Sequence, residues 1–190
     1  MESKLAFSAF TDEEVVFMIL TEGKKSLFEI IYNRYHGKVL NKCFTLLKKK
    51  DLSAEFAIDI MAKAFEKLDS FKGHSSFSTW LYSITYNYCI DYLREKKKLH
   101  YPEWNRNNEL PEISDDIIDE TDEISYELLI ELMEKLHAEE KALLLMKYHE
   151  DMSLKQISES LRITESAVKM RLKRSKNRLL YLYKENKSNC

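Results

Sequence analysis

Only three glycines and two prolines interrupt the 190 residues of this chain, and that scarcity most narrows what it can fold into. Tight turns draw heavily on both residues, so a chain so poor in them is confined to long helices with few reversals. The apolar pattern agrees. Thr11 and Glu14 form a capping box that opens a helix over about 12–22, which Gly23 ends. Leu27, Phe28, Ile31, Tyr35, Val39 and Phe44 recur at helical spacing, predicting a long helix from about Ser26 into Lys48–Lys50. Asp51 or Ser53 is placed to cap the next, with Phe56, Ile60, Ala64, Phe65 and Leu68 on its apolar side. Ser70–Ser76 reads as a loop. Phe77–Lys98 reads as an aromatic-rich helix with a stripe through Leu81, Ile84, Tyr88 and either Cys89 or Tyr92. The predicted fold is all-α.

The formal charge of −2 conceals a division along the chain. Residues 1–102 carry 16 Lys and Arg against 13 Asp and Glu. Residues 103–130 carry one Arg against ten acids, and residues 131–190 return to 13 basic against 9 acidic. Two mildly basic units therefore flank an acidic strip. Both prolines lie in Pro102–Glu123, which covers most of that strip and reads as an extended linker. Its carboxylates lack the spaced turn glycine of a calcium loop, so solvation is the simpler reading.

The last forty residues are the most specific part. Ser153 and Gln156 form a second capping box, Ile157 and Leu161 give the helix an apolar face, and Leu161–Ile163 is a turn. Thr164 caps the helix that follows, where Val168 and Leu172 point inward. Lys169, Arg171, Lys173, Arg174, Lys176 and Arg178 are left for the outer face and flanks. That is a helix-turn-helix with a cationic second helix suited to the major groove.

Other chemistries find no support. There is no glycine-rich phosphate loop, nucleophile elbow or zinc-protease helix, and the five histidines are scattered, so no enzyme is expected. Cys43, Cys89 and Cys190 form no pair with metal spacing, so no metal and no cofactor is expected. No apolar run approaches the ~20 residues of a membrane span and no leader opens the chain, so a cytoplasmic protein without membrane insertion is expected. On the aromatic helix, Trp80, Tyr82, Tyr86 and Asn87 cannot share one face, so some rings are expected to be exposed beside Arg94 and Lys96–Lys98. Exposed rings beside cations suit unpaired bases.

Taken in order, these pieces resemble the extracytoplasmic-function (group 4) sigma factors of the sigma-70 family, over about residues 11–100 and 125–182. Gly23, Leu27-Phe28 and Tyr35 resemble the family's opening pattern. Asp59-Ile-Met-Ala-Lys-Ala-Phe65-Glu-Lys-Leu resembles its polymerase-binding helix. Phe77-Ser-Thr-Trp80-Leu81, Ile84, Asn87 and Asp91-Tyr-Leu93-Arg94 resemble its promoter-reading helix. Leu136, Lys141, Ile157, Leu161, Ile163, Val168-Lys169, Arg171 and Arg174 follow its last region. The chain departs from the common pattern at Ala62 (often Gln), His137 (Pro), Lys141 (Arg), Ser158 (Ala) and Ala167 (Thr). Ser158 must then satisfy its hydroxyl locally, on a carbonyl one turn back.

The resemblance implies a region 2-like module over 11–100, an acidic linker over 101–124 and a region 4-like module over 125–184. It implies core RNA polymerase bound through Phe56, Asp59, Ala62, Lys63 and Glu66. It implies a base flipped from the −10 element, captured by the Phe71–Phe77 loop and Asn87, with Phe71, Lys72, Phe77, Trp80, Asn87, Arg94, Lys96, Lys97 and Lys98 as the contact set. It implies −35 contacts from Thr164, Ser166, Ala167, Lys169, Met170, Arg171, Lys173 and Arg174, with Lys169, Arg171 and Arg174 leading. An anti-sigma partner is implied as well. From the residues alone, a stand-alone helix-turn-helix regulator or an RNA-binding protein remain open alternatives.

Overall fold

A computed structural model of the chain describes residues 10–96 and 124–188. Residues 97–123, which include Lys97, Lys98 and the linker, lie outside the described residues, and so do the readings made on them. The described residues fold into helices without strands, as the dearth of glycine and proline requires. The chain divides into two compact units, Met1–Asp91 and Tyr92–Cys190.

In the first unit, α1 spans Asp12–Glu22 and opens with the Thr11–Glu14 capping box. Gly23, at φ +68°, closes it in the left-handed region that favours glycine. A 3₁₀ turn at Lys25–Leu27 leads into α2, Phe28–Leu47. Contrary to the continuous run expected into the lysine triplet, α2 stops at Lys48. That residue adopts φ +55°, and its N–H closes on the carbonyl of Phe44. The next helix, α3 (Lys50–Glu66), starts at once, so two residues reverse the chain. Neither Asp51 nor Ser53 caps it. Ser53 already lies inside the helix, where its hydroxyl donates to the Lys49 carbonyl at 2.7 Å.

After a short 3₁₀ turn at Leu68–Ser70 comes α4, Phe77–Glu95. Its buried face also differs from the expected stripe. Phe77, Leu81, Tyr82, Thr85, Tyr86, Cys89 and Ile90 are buried, whereas Ile84 and Tyr88 are only partly covered. The reason is the partner: α4 packs on α2, with Cys43 and Cys89 sulfurs 3.7 Å apart, and the Tyr82 ring meets Tyr35 at 6.2 Å. Lys42 lies over Tyr82 at 3.9 Å, so a cation covers a ring that local sequence leaves free to face solvent.

In the second unit, α5 (Tyr126–Glu134) is capped by the Ser125 hydroxyl on the N–H of Leu128. Then α6 (Ala138–Leu144) runs into a π-turn at Leu145–His149, closed by the Glu150 N–H on the Leu145 carbonyl. Next, α7 (Leu154–Leu161) carries the Ser153–Gln156 capping box. The long α8, Glu165–Ser188, packs on α5, α6 and α7. Leu143, Met146, Met152, Ile157 and Val168 are completely or almost completely buried and make the core on which α8 is set.

Candidate nucleic-acid interface

Helix α8 presents its cations through a simple division of faces. Val168 and Leu172 are buried, four residues apart, and fix which side of the helix meets the core. Arg162 at φ +54° ends α7, and the Thr164 hydroxyl accepts from the N–H of Ala167 at 3.2 Å to start α8. The turn is thus closed from both sides. Ser158 satisfies its hydroxyl on the Lys155 carbonyl at 2.8 Å.

Ser166, Lys169, Met170 and Lys173 then stand exposed at helical spacing on the outer side, with Thr164 at its start. Met170 is 54% exposed among these cations, an apolar group offered outward. Ala167 and Arg174 are partly covered. Arg171 is placed differently. Its guanidinium donates to Glu139 at 2.7 Å, and that carboxylate is only 6% exposed. Beneath it, the Glu140 carboxylate is buried and accepts from the N–H of His137, while its other oxygen has no hydrogen-bond partner. Burial pushes the Glu140 carboxyl above its usual value.

The start of α4 gathers the second set. Phe71, Phe77 and Trp80 form one aromatic cluster with ring centroids 5.4–5.6 Å apart. Phe77 is wholly buried and serves as its floor, while Phe71 and Trp80 are partly open. Ser76 caps the helix, its hydroxyl accepting from the N–H of Thr79 at 3.2 Å. Lys72 donates to the Asp69 carbonyl at 2.7 Å, across the base of the same loop. Asn87 lies two to three turns along α4 and is partly open. Arg94 is in the last turn, and Lys96 follows the helix with its ammonium 5.9 Å from the Tyr92 ring.

A residue that sequence reasoning missed locks this region: Glu13 of α1 accepts from the N–H of Phe77 at 3.0 Å and so holds the N-terminus of α4. Its neighbour Asp12 takes Arg34 at 2.7 Å and the Tyr35 hydroxyl. Burial, followed by Asp12, raises the Tyr35 hydroxyl well above its ordinary value. Only the run of acids after Thr11 signalled anything here, and it reads equally well as dipole matching at a helix start.

On α3, Glu55, Ile58, Asp59, Ala62 and Glu66 are exposed at positions three and four apart, so they form one face. Ile58, another residue that sequence reading passed over, is 56% exposed there. Phe56 is turned inward and only 6% exposed, and Lys63 is partly covered. An apolar strip bordered by acids suits a protein partner better than DNA, since three carboxylates repel phosphate. Among the described residues no cluster of His, Cys, Asp or Glu is placed to hold a metal, and no helix is long and apolar enough to cross a membrane.

Comparison with known proteins extends this reading. Residues 31–99 match the family model of sigma-70 region 2, and residues 126–179 match that of sigma-70 region 4. The chain is 28% identical over 150 residues to the RNA polymerase sigma factor YlaC of Bacillus subtilis, covering 78% of this chain and 87% of that one. It is 28% identical over 171 residues to the ECF RNA polymerase sigma factor SigW of the same organism, covering 83% and 89%. In fold it is similar to the sigma factor RpoE of Bartonella quintana, solved in complex with the anti-sigma factor NepR. That likeness has a TM-score of 0.56 at 19% identity, over 83% of this chain and 96% of that one. With both sigma regions matched in order on the two helical units, the chain belongs to the sigma-70 family, in its extracytoplasmic-function group: it is an alternative sigma factor that binds core RNA polymerase and directs promoter-specific transcription initiation.

Proposed function

We propose that this sigma factor divides its work among three surfaces. The exposed face of α3, with Asp59, Ala62 and Glu66 at its centre and Ile58 beside them, docks on core polymerase, while Phe56 and Lys63 support it. The Phe71–Phe77 loop and Asn87 take a base drawn out of the −10 element. Unstacking a base costs a few kcal/mol, and stacking on Phe71 and Trp80 is what offsets it. Lys96–Lys98 hold neighbouring phosphates, and Arg94, whose guanidinium donates to Glu139 at 2.6 Å, borders them. The outer face of α8 enters the major groove at −35, where Thr164, Ser166, Lys169, Met170 and Lys173 are presented to DNA. Ala167 and Arg174 border that set, and Arg171 orients the helix from beneath.

The observation that carries the reading is α8 itself: buried Val168 and Leu172 aim Lys169 and Lys173 outward, from a helix capped at Thr164. In this reading a region 2 module over 11–100 and a region 4 module over 125–184 are joined by an acidic linker over 101–124 that threads toward the RNA channel. The protein works by binding alone, without catalysis, in the bacterial cytoplasm, where an anti-sigma factor holds it when inactive. The fold it shares with a sigma factor crystallised with such a partner supports that regulation.

Run-off transcription with purified core polymerase tests the assignment. Wild-type protein is expected to start transcripts at a specific subset of promoters in a genomic library. Ala62→Arg on the α3 face and Lys169→Ala on α8 are each expected to abolish or weaken that stimulation. Undiminished stimulation by both variants would overturn the surface assignment.

A further inference from the structure

Three of the five residues assigned to polymerase docking touch a single side chain on the neighbouring helix, Tyr88 of α4. Its hydroxyl donates to Asp59 at 3.0 Å. Its ring meets that of Phe56 edge-on, with centroids 4.8 Å apart and planes at 87°. The Lys63 ammonium lies 5.1 Å from the same ring. Asp59 and Lys63, four apart on α3, are thus both placed by one tyrosine, the anion through the hydroxyl and the cation through the ring face. Tyr88 itself is half-covered, and it adjoins Asn87 in sequence.

We infer that Tyr88 is a positioning residue for polymerase docking, which presets the side chains of Asp59 and Lys63 and ties the docking helix α3 to the strand-reading helix α4. The physical reason is entropic. Asp59 is exposed, and an exposed rotor must be ordered when a partner binds, which weakens association by about two- to tenfold per side chain. A hydrogen bond made beforehand in the free protein removes most of that loss. Partial burial, and then the bond to Asp59, raise the Tyr88 hydroxyl above its ordinary value, so it stays protonated and able to donate. None of this was legible locally. Asp59 and Tyr88 are 29 residues apart, and the apolar stripe placed Tyr88 in the core.

This inference rests on the α3 face being the docking surface, and its test separates the two claims. Tyr88→Phe keeps the ring over Phe56 and Lys63 and removes only the hydroxyl. Affinity for core polymerase is measured by anisotropy of the labelled full chain for wild type, Tyr88→Phe, Asp59→Ala and the double variant, with run-off rates at saturating polymerase. Expected are about threefold weaker binding for Tyr88→Phe, a larger loss for Asp59→Ala, and no further loss in the double variant. For Tyr88→Phe the rate at saturation is expected to stay unchanged, and a lowered rate would overturn a role confined to docking. Unchanged affinity of Tyr88→Phe beside a weakened Asp59→Ala would overturn the role of Tyr88 and leave the docking surface standing. Additive losses would overturn it too, since a general loss of fold persists when Asp59 is gone. Unchanged affinity of Asp59→Ala would remove the docking role of Asp59 and the inference with it.

Discussion

Arg171 and Lys173 lie two residues apart on α8, and both read from sequence as DNA contacts, yet their surroundings assign them different work. Arg171→Ala removes a charge-assisted hydrogen bond to Glu139 made at 2.7 Å. The carboxylate is 6% exposed but keeps a second ion pair to Arg94 at 2.6 Å, and the guanidinium is 26% exposed, so the loss is partly compensated at both ends. Such bonds contribute roughly 1.5–3 kcal/mol, and this compensation places the loss at about 2 kcal/mol. That is about a thirtyfold change in the ratio of folded to unfolded unit. With a urea slope of about 2 kcal/mol per molar, the unfolding midpoint falls by about 1 M.

Lys173 is exposed, so its removal moves that midpoint by no more than about 0.25 M. What changes instead is affinity for promoter DNA in the polymerase-bound state. It weakens uniformly across sequences, and the slope of log affinity against log salt falls by about 0.9. Circular dichroism in urea and salt-dependent anisotropy on the same two variants check both halves. An Arg171→Ala protein of wild-type stability that has lost sequence preference would contradict this assignment, because Arg171 would then be reading bases.

Thr164→Ala loses the cap on the Ala167 N–H and is expected to destabilise the C-terminal unit by about 1 kcal/mol, read as a lower urea midpoint. Trp80→Ala breaks ring contacts with Phe71 and Phe77 and is expected to cost ~2–3 kcal/mol in the same assay. Asn87→Ala is expected to leave stability within ~0.5 kcal/mol while slowing open-complex formation about tenfold, and equal destabilisation by both would undo that division.

Glu140 provides a pH test. Its folded-state carboxyl is raised above the ordinary value of 4.5, so its contribution to stability is complete below 4.5 and is lost as pH rises through the folded value. Glu140→Gln keeps an acceptor for the His137 N–H. It is expected to be more stable than wild type at neutral pH, with the difference shrinking as pH falls toward 4.5. A difference that does not vary with pH would contradict the assignment.

The features that sequence made legible are those in which partners lie within one turn of each other. The capping boxes at Thr11–Glu14 and Ser153–Gln156, the left-handed Gly23 and the Thr164 cap all bond across three or four residues, and each stands where the residues indicate. Lys48 is the counter-example. A lysine in the left-handed region carries no signal of its own, and the break exists because α2 and α3 must pack along each other.

The phase of α4 escapes local sequence for a related reason. Tyr82 and Tyr86 are as compatible with solvent as with a core, and it is α2, with Lys42 laid over both rings, that decides. Glu13 on Phe77, Tyr88 on Asp59 and Arg171 on Glu139 join residues 64, 29 and 32 positions apart, so no local pattern could announce them. Those three contacts separate the residues that position the surfaces from the residues that form them.

In the proposed division of work, α8 sets where polymerase sits while the α4 region opens the duplex. Run-off transcription on two versions of one promoter, fully paired and with the −10 segment already unpaired by mismatch, tests this most directly. Asn87→Ala is expected to be defective on the paired template and largely restored on the unpaired one, because the energy of opening has been supplied. Lys169→Ala with Lys173→Ala is expected to stay defective on both. Restoration of the α8 variant by the unpaired template, together with a persistent defect of Asn87→Ala, would contradict the division of labour.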